Sequence, residues 1–243
     1  DDDDDEEDIE NNINDSLDIH DTVYQKQNPS MHKKKIQRKT KEEDHEEVNI
    51  EVIDPEKSMD IKTSFPETVV LYREHWKKFL IERTHIDEWN CIYRATRDGW
   101  LARNFHSLVD HKGPTLTLIR TTHSAVFGGY SSVSWRSPSF GELSHNDRQA
   151  FLFSFRRRLS GDETPILLKA KEGGAQVRHA SESLVAFGTQ DLVVASSSNS
   201  GNMQSLSRLS GEFVLEDGSA APPYLLCDAQ QFVVSDIEVY IPV

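Results

Sequence analysis

Cysteine is scarce. Cys91 and Cys227 are the two in 243 residues, they stand far apart, and no Cys-x-x-Cys spacing suggests a metal. A secreted domain stapled by disulfides normally carries more, so two thiols in a reducing compartment is the simplest reading, with one bridge between them as the alternative. Long apolar runs are missing too. Nothing approaches the roughly 18 consecutive residues that cross a bilayer, which sets membrane insertion aside and leaves peripheral association open. Positive charge is also short where it would matter. Residues 1–68 hold 22 acidic and 9 basic residues, and residues 69–243 hold 19 and 18. The formal net charge of −14 therefore belongs to the leader, and the near-neutral body lacks the basic footprint that a phosphate backbone requires. Nucleic acid is excluded as an expected partner. The opening DDDDDEED, in place of a Met, reads as a fragment or a processed form, so the lack of a signal peptide describes only this segment.

What the chain does have divides into two parts, a leader over residues 1–62 and a domain over 63–243. The leader runs from an acidic, Asn-rich stretch through a basic block, KKKIQRKTK at Lys33 to Lys41, and back to acid. It has too few apolar residues to offset the entropy of ordering and is expected to be a disordered polyampholyte. The basic block reads as a solvated linker, with a nuclear-import or anionic-membrane patch as the alternative.

From Phe65 the pattern changes. SFPETVVLYREHWKKFLIER places Val69, Tyr72, Trp76 and Phe79/Leu80 on one helical face, with Ser64 or Thr63 as cap, Pro66 in the first turn and Glu67 favouring the dipole. WNCIYRATRDGW reads as a short strand ending in an Arg-Asp-Gly turn. LARNFHSLVDHKG puts Leu101, Phe105 and Leu108/Val109 on one face of a second helix that Gly113 ends. Beyond it, alternation with period two dominates. Leu116 and Leu118 oppose Thr117, Ile119 and Thr121; Phe151, Phe153 and Phe155 oppose Ala150, Leu152 and Ser154; Ile237, Val239 and Ile241 oppose Asp236, Glu238 and Tyr240. TPILLKAK, ESLVAFG and DLVVASS are further strands. Many short strands separated by turn signals predict an α+β, mainly β fold: a two-sheet antiparallel sandwich flanked by short helices.

Candidate chemistry is sparse. Gly128-Gly129-Tyr130, followed by Trp135, lies in a strand pattern with neither a Lys nor a helix behind it. It therefore reads as a demand of the fold, where a bulky neighbour needs room, and not as a phosphate cradle. His106 and Asp110 stand at i, i+4 with His111 and His123 nearby, but no further ligand completes a metal set. RRRLS, ending at Ser160, has the form favoured by basophilic kinases. The glutamates of SGEFVLED and SDIEVYIPV could meet as a carboxylate pair. Cys227, near a loop, is the better placed of the two thiols for reactivity, since Cys91 sits among strand apolar residues.

TRDGW, FHSLVDHKGPTLTLIRTT, FGGYSSVSW, QAFLFSF, AFGTQDLVV and IEVYIPV stand in the order and with gaps similar to those of a TLDc domain. The resemblance covers about Phe65 to Val243. It implies a two-sheet β-sandwich, a role in protection from oxidative stress, and binding to the vacuolar-type proton-pumping ATPase. It implies no catalytic reaction and no cofactor. Carried over residue by residue, Asp98 and Gly99 match the Arg-Asp-Gly turn of the family. Phe105, His106, Lys112, Gly113 and Pro114 match its helix-to-strand passage, and Gly128, Gly129, Tyr130 and Trp135 match its glycine-tyrosine-tryptophan segment. FGTQDL carries one glycine where the family has a glycine-rich turn, and LLCDAQQF replaces a segment that is often small and Gly-containing. The expected function is a non-enzymatic interaction module, monomeric and intracellular, in the cytoplasm at endomembranes or mitochondria. The alternatives are an enzyme with a thiol- or hydrolase-type site, or a scaffold signalling through its charged leader.

Overall fold

A computed structural model describes residues 64–155, 164–174, 176–201 and 204–243. The leader, its basic block, Thr63 and the RRRLS site at Ser160 lie outside the described residues. In chain order the elements are α1 (Glu74–Thr84), β1 (Trp89–Arg94), α2 (Ala95–Asp98), α3 (Ala102–Val109), β2 (Thr115–Thr121), β3 (Val126–Ser131), β4 (Glu142–His145), β5 (Phe151–Ser154), β6 (Ile166–Ala170), β7 (Val177–Ala180), β8 (Ser183–Phe187), β9 (Leu192–Ala195), β10 (Ser205–Leu206), β11 (Phe213–Leu215), β12 (Gln231–Phe232) and β13 (Val234–Pro242). They build two antiparallel sheets, ordered β1-β13-β2-β3-β5-β6-β11 and β12-β10-β9-β8-β7-β4. The fold is mainly β, with short helices at the margins.

Two cores follow from the alternation. Ile119, Phe127, Leu152, Ile237 and Val239 face the second sheet, where they meet Val185, Phe187, Leu192 and Val194. Leu116, Leu118, Phe151, Phe153 and Tyr240 face the other way and are covered by Trp76 and Leu80 of α1 together with Phe65, Val70 and Leu71. Trp76 stacks on Phe155 with ring centroids 4.8 Å apart, and Phe65 stacks on Trp89 at 6.0 Å. Each such buried ring contributes on the order of 2–3 kcal/mol of hydrophobic stabilisation.

The first described helix begins at Glu74, nine residues later than a Ser64 cap predicts. Residues 65–73 are not helical, Glu67 sits at φ +59°, and Val69 and Tyr72 are exposed while Val70 and Leu71 are buried. The reason is tertiary. The Glu238 carboxylate, fully buried on β13, accepts from Val69 N at 2.7 Å, Thr68 Oγ1 at 2.7 Å, Arg94 Nε at 3.1 Å and Tyr240 Oη at 2.9 Å. Arg120 holds the Val69 carbonyl at 3.1 Å, and Arg94 also reaches the Glu67 carbonyl. These groups take up backbone valences that a helix would have used itself, and the β-branched Thr68-Val69-Val70 offers little resistance. The segment becomes a strap across the outer face, and neither Ser64 nor Pro66 starts a helix there. In α3 the buried face is Ala102, Phe105, His106 and Val109, with Leu101 and Leu108 about a third exposed. The helix ends at Asp110, three residues before Gly113.

Candidate functional site

The motif residues meet around the β2–β3 hairpin and the α3 end of the inner core. Their geometry follows from the two-residue period of β3. Gly128 and Gly129 point to opposite faces. A Cβ on Gly128 would lie 1.9 Å from the Thr117 carbonyl oxygen and 2.8 Å from the Phe153 ring. A Cβ on Gly129 would lie 2.8 Å from both Leu152 and the Phe187 ring of the opposite sheet. The pair is thus a close-packing device, filled on both faces where an anion would have to sit. Tyr130 follows on the outer face, half-buried and stacked on Phe151 at 5.2 Å, and burial followed by the charge of Asp147 raises its phenol.

Trp135 is fully buried in the inner core. Its indole N–H donates to Thr115 Oγ1 at 2.8 Å, and the ring meets Phe105, Phe187 and His179 edge-on. Phe105 in turn meets Tyr93, whose hydroxyl donates to the Gly99 carbonyl at 2.7 Å. Gly99, at φ +104°, holds the left-handed turn that Asp98 closes by accepting from Arg94 N at 2.8 Å. Gly113, at φ +89°, donates its N–H to Ser134 Oγ at 2.9 Å, and Pro114 leads directly into β2.

His106 is the polar centre of this region. Its Nδ1 lies 2.8 Å from Asp110 Oδ1, and its Nε2 lies 2.9 Å from the Ser183 carbonyl and 3.2 Å from that of Ala180. Every one of those partners is an acceptor, so the imidazolium, with a proton on each nitrogen, satisfies them all. Burial works against the charge, but the Asp110 carboxylate and the two carbonyls outweigh it and raise His106 above the ordinary histidine range. Burial likewise opposes ionisation of Asp110, yet His106 and Ser137, the latter at 2.7 Å, hold it below the usual carboxylate range. Both ring nitrogens are engaged, so the i, i+4 pair is an internal ion pair tying α3 to the β7–β8 hairpin. His111 is exposed beside it, and His123 sits in the β2–β3 turn at the remote end of the hairpin. Among the described residues no three His, Cys, Asp or Glu side chains gather as a metal-binding group. His179, buried against Trp135, is pushed down to about 4, by burial first and then by His145 and Arg136.

The TLDc-domain family model matches residues 68–242. The chain belongs to the TLDc-domain family. No curated protein matches the chain at a significant level. The TLDc match spans both sheets, including every family-motif residue described above.

The TLDc frame also places the remaining candidates. Cys91 and Cys227 form no disulfide with each other. Cys91 is half-buried in β1, its Sγ 3.4 Å from the Tyr93 carbonyl, and burial followed by the Glu238 charge pushes its thiol up. Cys227 lines a pocket of about 390 Å³ with Thr121, His123, Asp228, Ala229, Gln231, Phe232 and Val233. The glutamates thought able to meet do not. Glu238 is on the second strand of its sheet, and Glu212 precedes β11 at that sheet's far edge. Each finds another partner, Arg94 for Glu238 and Asp191 for Glu212. The strap that Glu238 holds had no signal in the sequence beyond an acid in an apolar strand. Among the described residues no helix is long and apolar enough to cross a membrane.

Proposed function

We propose that this TLDc domain is a non-enzymatic protein-interaction module that binds subunits of a vacuolar-type proton ATPase, with tolerance of oxidative stress as its downstream effect. It works as an intracellular monomer in the cytoplasm, associating with endomembranes or mitochondria through its partner and not by insertion. One observation carries the reading: the residues that define the motif turn inward. Phe105, His106, Gly129 and Trp135 are spent on joining the sheets and α3, and Gly128 on close packing against Thr117 and Phe153 of its own sheet. What faces outward is mixed polar surface with separate apolar side chains such as Tyr72, Phe140 and Leu143, a surface suited to a protein partner. The near-neutral body argues against nucleic acid. Affinity capture from a cell lysate at low salt, under oxidising and reducing conditions, tests the proposal. Identified pump subunits should be recovered, and their absence in both states would refute it.

The Cys227 pocket supports a second reading, a thiol-based activity beside His123. Labelling by a thiol probe at neutral pH would run faster in the native chain than in the denatured one. Equal or slower native labelling removes this reading.

A further inference from the structure

Asp191 closes the turn that runs from Gly188 and immediately precedes β9, and it is fully buried. Its partners come from the other sheet's approach to β11. Ser210 N donates to Asp191 Oδ1 at 3.2 Å, and Ser210 Oγ stands 2.7 Å from Asp191 Oδ2 and 2.8 Å from Glu212 Oε2. Thr189 Oγ1 donates to Glu212 Oε1 at 2.8 Å. A hydroxyl carries one hydrogen. Ser210 can therefore donate to one of these carboxyl oxygens, and the other contact is a hydrogen bond only if that acid brings its own proton. One proton on the two acids satisfies both contacts, as in other closely spaced carboxyl pairs.

The groups facing Asp191 are Glu212 and Ser210, and those facing Glu212 are Asp191, Ser210 and Thr189. Two basic residues contribute main-chain donors there, Lys171 N to the Glu212 carbonyl at 2.8 Å and Arg208 N to the Gln190 carbonyl at 2.9 Å. Burial and then the Glu212 carboxyl push Asp191 up to about 7. Glu212 is opposed by burial, but hydrogen bonds from Asp191, Ser210 and Thr189 hold it below the usual glutamate range. The turn is moulded to this carboxyl: a Cβ on Gly188, at φ +60°, would lie 2.2 Å from Asp191 Oδ2.

We propose that Asp191 and Glu212 form a proton-operated latch between the two sheets, closed while they share one proton and weakened when it leaves. The latch holds residues 207–212. That segment anchors 220–230 in turn, through Ser207 N on the Gln230 carbonyl at 2.8 Å and Leu209 N on the Pro223 carbonyl at 3.1 Å. Releasing it uncovers Leu209 and Leu226 of the inner core and loosens the segment bearing Cys227.

The sign follows from linkage. The opened loop exposes Asp191 to water, where it titrates near 3.8, against about 7 when closed. Closure is therefore strongest at about pH 4 to 5: it weakens as pH rises from there and levels off above about 7, and on the acid side the depressed Glu212 weakens it again as it takes up a proton. His106, raised above the ordinary histidine range, and His179, lowered to about 4, also titrate elsewhere in the sandwich, so the difference between wild type and variant is the readout. The test is amide hydrogen exchange of the full chain between pH 5 and 8, corrected for intrinsic rates. Protection of the Ser210 amide should fall by about tenfold or more from pH 5 to 7 and then level. Asp191→Asn should remove that fall. Glu212→Gln, which keeps Asp191 but replaces its facing acid, should move the fall to lower pH. A flat wild-type profile, or an unchanged fall in either variant, would overturn the latch. If Asp191→Asn does not fold, the wild-type and Glu212→Gln profiles decide.

Discussion

Two fully buried carboxyls sit on opposite sides of this domain, and they are held in opposite ways. Glu238, under the outer strap, faces four donors, one of them the guanidinium of Arg94. Asp191, at the inner junction of the sheets, faces another acid, one backbone N–H and a hydroxyl that it shares with that acid. Burial is equally complete at both, so it does not decide what a carboxyl does. The count of donors does. A carboxylate surrounded by N–H and O–H groups works as a permanent rivet, whereas one short of hydrogens keeps a proton and becomes conditional on pH. His106–Asp110 lies between the extremes, a carboxylate paired with a cation that can itself titrate.

The largest effect expected from breaking this comparison is at the rivet. Glu238→Ala leaves Arg94, Thr68 and the Val69 N–H without their acceptor and should cost about 3–5 kcal/mol in denaturant unfolding. A loss under about 1 kcal/mol would show that the strap is held by Phe65 and Leu71 alone. His106→Ala comes next, at about 2 kcal/mol. Because the folded pKa is raised, its charged contribution is fully present below about pH 6.5 and is lost as pH rises through the folded value. Unfolding curves should show wild type losing more stability between pH 6 and pH 9 than the variant does. Asp191→Asn sharpens the contrast by reversing sign. It should stabilise the chain by about 1 kcal/mol at pH 7.5, and the gain should vanish near pH 4, where the native acid is already protonated. Ser137→Ala should be smallest. It removes one partly exposed donor to Asp110 and should change stability by about 0.5 kcal/mol or less.

The sandwich was legible in the sequence because period-two alternation states which side of a strand is buried. The division of Leu116/Leu118 from Ile119, and of Phe151/Phe153/Phe155 from Leu152, is the division between the two cores. Strands lacking that contrast were not legible. β4 reads ELSH, a mostly exposed edge strand, and β10 and β12 are two residues each. The helical stripe at Val69 and Tyr72 misled because its backbone is captured from across the sheet, at sequence separations of about 170 residues, which no local pattern encodes. The glycine pair could be read as a packing device from its strand context. The ring it admits from the second sheet, Phe187, could not be named before the sheets were in place. Asp191 and Glu212 lie just before strands of different sheets, so nothing in their spacing announces the shared proton.

The glycine dipeptide makes the seven-stranded sheet a spacer of fixed thickness. Phe153 rests against one surface of it at Gly128 and Phe187 against the other at Gly129, and neither position has room for a Cβ. Enlarging a side chain in one compartment cannot be accommodated by bowing the sheet, because the opposite compartment is already in contact at the adjoining residue. The two interiors share no side chain, yet they must be repacked together or not at all.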